Sequence, residues 1–193
     1  MQNYTKAIIV GKSTIWVLSG LHTNDTLEIS ITKEYAACTA SYFLAIDMEY
    51  VPIEGRNPIS SPSRMLLQDL KHRHRGPFNL HTPVVDDSFV FTMLTFKAQS
   101  NAQVQLIITD NDPLQFVFQM RFTHDMAFVS AHHTVMLFLK STFVNQVALD
   151  FSATATHPTT MQIPSFKNKT FIINPNITAA DVLNHANDIS RYP

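Results

Sequence analysis

The sequence predicts a mainly β fold, an antiparallel β-sandwich of jelly-roll-like type, and three observations carry that prediction. Apolar residues recur with period two in several separate runs, the spacing of strands with one buried face. Between the runs stand clusters of Asn, Asp, Pro and Ser, the residues that turn a chain when glycine is scarce, and this chain has only 4 Gly. Apolar residues make up 45% of the chain against 15% charged, a composition that buries a core rather than staying disordered. At 193 residues, one domain spanning 1–193 is expected.

Taken in order, Ala7 to Val10 and Thr14 to Leu18 are short apolar runs on either side of Gly11-Lys12-Ser13. Gly-Lys-Ser ends the phosphate-binding loop of nucleotide hydrolases, but that motif needs a glycine-rich loop where this chain has Ala7 to Val10. A tight hairpin turn at Gly11 is expected instead. Leu27 to Ile31 alternates cleanly, and Tyr42, Leu44, Ile46, Met48 and Tyr50 alternate with a face that becomes acidic at Asp47 and Glu49. Both runs read as strands.

From Pro52 to Pro83 the chain is rich in Pro, Ser and charge, the texture of a long surface connection. It holds one short helix near 62–70, with Ser61 as N-cap and Pro62 at the first helical position. Five strands are then expected, near 89–97, 103–109, 114–122, 126–139 and 143–151. In the third, Leu114, Phe116, Phe118, Met120 and Phe122 alternate with Gln115, Val117, Gln119 and Arg121. Asp110-Asn-Asp-Pro113 supplies the turn that would join it to its predecessor as a hairpin. Short runs at 161–163 and 170–173 follow, and a C-terminal helix is expected near 179–189, where Ala179, Val182, Leu183 and Ala186 form an apolar stripe.

Function is less sharply written. A formal charge of −1 makes no global case for a nucleic-acid partner, so any such case is local. The single Cys38 excludes an intrachain disulfide and a multi-cysteine zinc site. With no signal peptide recognisable and no apolar run of membrane-spanning length, an intracellular protein, cytoplasmic or nuclear, is expected. Four Asn-x-Thr sequons, beginning at Asn3, Asn24, Asn168 and Asn176, read as chance matches in so Asn- and Thr-rich a chain.

The sharpest local feature is Lys71-His-Arg-His-Arg75, with Arg64 on the helix before it. Clustered guanidinium groups recognise phosphates bidentately, so Arg64, Lys71, Arg73 and Arg75 are the candidate anion or nucleic-acid contacts, and an acidic partner surface would suit them equally. His124, Asp125, His132 and His133 have the chemistry of metal ligands, and a hydrolase using His124 and His132 is the metal-dependent alternative. Adjacent His132 and His133 point to opposite faces of a strand, however, so no metal site is assigned. Asp47 with Glu49, Asp86-Asp87 and Asp110 with Asp112 lack a partner base, and Ser13, Ser61 and Ser63 lack a nucleophile elbow. No catalytic residue and no cofactor are therefore expected, and the chain reads as non-enzymatic.

One stretch carries a family resemblance. Leu106 to Ala131, containing Asp112-Pro-Leu-Gln-Phe-Val-Phe118 and Met126-Ala-Phe-Val-Ser-Ala131, resembles the strand-turn-strand near the end of a eukaryotic or archaeal sliding-clamp domain. Leu27 to Glu34 is similar to an earlier hairpin of that fold. The resemblance implies a protein that associates with nucleic acid, through the basic loop 71–75. The leading expectation is different: a structural or interaction protein acting through surface contacts and self-assembly, of a viral type by the analogy of its Asn-, Thr- and Phe-rich, Gly-poor texture. Strands 89–97 and 135–139, apolar on both faces, are the surfaces that self-association would cover.

Overall fold

The computed structural model describes residues 6–14, 26–53, 61–74, 78–80, 82–138, 147–148, 150–151, 160–162 and 170–173. Thr14 to Leu18 beyond its first residue, Arg75 and the expected helix at 179–189 lie outside these residues. The chain is mainly β. Among the described residues ten strands form two sheets: β1 (Ile8–Val10), β2 (Leu27–Thr32), β3 (Glu49–Val51), β4 (Val90–Lys97), β5 (Gln103–Thr109), β6 (Ala127–Val129) and β7 (Thr134–Met136) make a seven-stranded sheet in the order β3-β4-β5-β2-β1-β6-β7. Its pairings are antiparallel except β2 with β5, which run parallel in register from Leu27↔Val104 to Thr32↔Thr109. The strands β8 (Val147–Ala148), β9 (Thr160–Gln162) and β10 (Thr170–Ile173) form a three-stranded sheet.

Helix α1 (Lys33–Ala45) and helix α2 (Pro62–Lys71) cover one face of the large sheet. In α1 the buried residues are Ala36, Ala40 and Phe43, a stripe at i, i+4 and i+7. In α2 they are Met65, Leu66 and Asp69. These meet Ile31, Tyr50, Leu94, Phe96, Leu106 and Ile108 from the sheet. The Tyr50 hydroxyl donates to the buried Asp69 carboxylate and ties α2 to the edge strand β3. Helix α2 starts as expected, at Pro62 after Ser61. The run 42–50 does not form one strand: α1 continues to Ala45, and Asp47 then takes a left-handed φ of 61°. The Asp47 N–H donates to the Leu44 carbonyl and the Met48 N–H to the Phe43 carbonyl, closing the helix in a Schellman motif before β3 begins. An alanine-rich sequence with a helical stripe prevailed over the alternation that straddles its end.

The opposite face carries Ile8, Val10, Val90 and Ile107, covered by Phe116, Val117, Met120 and Met126. Here the expected hairpin at Asp110–Pro113 and the strand at 114–122 are corrected. Leu114–Phe118 is a short helix, α3, with the Asp112 carboxylate accepting from the Leu114 N–H at 2.9 Å. The buried positions are 113, 116, 117 and 120, spaced i, i+3, i+4 and i+7, while Phe118 is 60% exposed. The apparent period of two arose because Phe118, which faces solvent, matched an alternation that the helix does not use. Isolated bridges at Met120 and Phe122 are all that is extended in this stretch. The strand-turn-strand of the sliding-clamp resemblance is accordingly not formed at 106–122.

The expected hairpin at Gly11 is also corrected: residues 12–14 are helical and β1 pairs instead with β2 and β6. The strands near 89–97 and 103–109 are present, joined through Asn101 in the left-handed region with its N–H donating to the Ala98 carbonyl. Both faces of β4 are covered inside the chain, with Leu94 and Phe96 on the helical side and Val90 on the other. A register irregularity between Val90 and Thr92 switches the parity. No helix among the described residues is long and apolar enough to cross a membrane.

Candidate functional site

The four predicted anion contacts divide. Arg64 and Lys71 are exposed, and their spacing of seven places them on one outward stripe of α2 with the 57% exposed Leu67 between them. Arg73 has another task. Its guanidinium donates to the Asp110 carboxylate and to the Ser88 carbonyl at 2.7 Å, so it ties the start of β4 to the end of β5. Arg75 lies outside the described residues. Large apolar side chains are also exposed elsewhere on this layer: Tyr42 is 61% and Ile46 49% exposed, and Leu44 and Val51 are exposed too. Tyr42 and Ile46 share a stripe of α1 and its cap, followed at once by the exposed Asp47 and Glu49.

The two histidines of the metal alternative are apart in character and place. His124 is fully buried in a 3-10 turn, Thr123–Asp125, just before β6; His132 is exposed in the turn beyond the other end of β6. Among the described residues no group of three or more His, Cys, Asp or Glu is arranged to hold a metal ion.

What the strand pattern missed is a buried polar layer on the face opposite α1 and α2. Glu28 and Ser30, the polar alternates of β2, are both fully buried. Glu28 receives the Thr82 N–H at 2.9 Å and the Thr82 hydroxyl, while its own N–H donates to Ser13 Oγ at 2.9 Å. Gly11 makes this approach possible: at φ +62° it faces Thr82 so closely that a Cβ there would stand 2.3 Å from Thr82 Oγ1. The Thr14 hydroxyl donates to the Ile9 carbonyl at 3.0 Å, which fixes the turn against β1. The signal available in sequence was a glutamate on the polar alternate of a strand, and it reads identically to a solvated one.

The same layer contains the most perturbed acid and base. His124 Nε2 lies 3.3 Å from Asp125 Oδ1, with both side chains fully buried and the His124 ring stacked on Phe122. Burial pushes Asp125 up to about 7, with nearby Lys12 opposing the shift and Glu28 adding to it. Burial also pushes His124 down to about 4, and Lys12 acts in the same direction. At neutral pH the imidazole is thus uncharged, and the carboxyl keeps its proton to a higher pH than an exposed one. Neither side chain has exposed surface.

In the loop leading to β4, the Asp86 carboxylate accepts from the Ser88 N–H at 2.8 Å and the Ser88 hydroxyl at 2.9 Å, which hold it below its ordinary range. Arg121 grips Asp150 with two parallel contacts of 2.9 and 2.6 Å, and the pairing raises the guanidinium further. Compared with known proteins, the chain matches no family model, no curated protein and no solved structure, so what it does is read from its own residues.

Proposed function

We propose that this chain is a non-enzymatic interaction protein that works through surface contacts and associates with a second copy of itself through the outer surface of its two-helix layer. The observation that carries the reading is the stripe Arg64-Leu67-Lys71 on α2, an exposed apolar residue between two cations, near a turn where exposed Tyr42 and Ile46 precede Asp47 and Glu49. Both patches pair apolar surface with charge, of opposite sign. A two-fold axis lets each copy set its cations against the partner's carboxylates while Leu67, Tyr42 and Ile46 leave water. With β4 covered on both faces, this surface replaces the strand faces expected from sequence as the place for self-association. The finer architecture, a jelly-roll-like sandwich, is part of the same proposal and draws on β8 abutting the 3-10 turn at Thr123–Asp125.

Light scattering at tens of micromolar tests it. A mass of two or more chains is expected, and Leu67→Asp with Tyr42→Ser shifts the protein to monomer, since losing central apolar contacts weakens an interface by about tenfold or more. Arg64→Glu with Lys71→Glu weakens association, and Asp47→Lys with Glu49→Lys restores it. A strictly monomeric wild-type mass overturns the reading. The same cations favour one other reading, association with nucleic acid. It predicts salt-dependent binding that Arg64→Glu with Lys71→Glu abolishes and the second charge reversal does not restore.

A further inference from the structure

We draw no further inference here: the strongest candidate, the buried His124–Asp125 pair in the 3-10 turn before β6, belongs to the polar layer already described, and a switch built on it would rest on the shifted titration of those two groups alone.

Discussion

The two faces of the seven-stranded sheet are built from the same strands by different means. Under α1 and α2 the sheet presents Ile31, Leu94, Phe96, Leu106 and Ile108 to Ala36, Ala40, Phe43, Met65 and Leu66. One polar pair, Tyr50 with Asp69, interrupts this layer of hydrocarbon. On the other face the alternates of β2 are Glu28 and Ser30, and the layer above them holds Thr82, His124 and Asp125, all without exposed surface. The first face coheres by area and shape. The second has an apolar cluster of its own, Ile8, Val10, Ile107, Phe116 and Met120 among it, and adds hydrogen bonds to a buried carboxylate and an ionisable pair perturbed by burial. Volume should therefore govern mutations on the helical side, and proton chemistry those in the polar layer of the other.

The largest effect is expected on the helical side. Phe96 is fully buried and in ring contact with Phe43 at 5.2 Å and Tyr50 at 5.9 Å between centroids. Phe96→Ala should cost about 3–5 kcal/mol in urea unfolding, the same at every pH where the protein folds. A loss that varied with pH would mean that the dry face is coupled to the titrating pair across the sheet.

Asp125→Asn should give the opposite pattern. Because Asp125 rises to about 7 from an ordinary 3.8, the folded chain holds this proton more tightly than the unfolded one. Its contribution is most favourable below 3.8 and is lost progressively as pH rises through 7. His124, lowered to about 4 from 6.5, costs stability as pH falls from 6.5 through 4. The asparagine variant escapes only the first penalty. It should be more stable than the wild type at pH 8 by on the order of 1–3 kcal/mol, with the advantage shrinking toward pH 4. An advantage that stays constant between pH 4 and 8 would show that Asp125 does not titrate in this range.

The same contrast explains what could be read in the sequence. Strands β2, β4 and β5 and helix α2 are legible because their periodicity or capping residues are local signals, and all four form within a residue or two of where they are expected. Alternation identifies a strand without telling which polar face is wet: Leu27-Glu-Ile-Ser-Ile31 looks half-solvated, yet Glu28 is fully buried because Thr82, distant in sequence, comes to meet it. Leu114 to Phe122 failed for a different reason. A five-residue helix leaves too few positions to separate a period of 3.6 from one of 2, and Asp112-Pro113 starts a helix with the same residues that make a turn. The basic cluster was legible as composition, but whether a guanidinium is free depends on partners such as Asp110, supplied by the residue just after β5.

The finest test separates the hydrogen bonds of the polar face from its charge. Ser30 lies in the same strand as Glu28, two residues on, and its hydroxyl donates at 3.3 Å to the Pro113 carbonyl at the entrance to α3. The bond is long and neutral. Ser30→Ala removes it without leaving a large void, so the variant should lose about 0.5–1.5 kcal/mol at all pH values, the net worth of an ordinary buried hydrogen bond. A loss of that size makes the face a bonded layer, in which α3 is seated by Ser30 as Thr82 is seated by Glu28. No loss, or a gain, means that the Pro113 carbonyl is as well served by packing. Glu28 would then be the polar anchor of a face that is otherwise apolar core, and the contrast between the two faces would narrow to the carboxylates and the histidine.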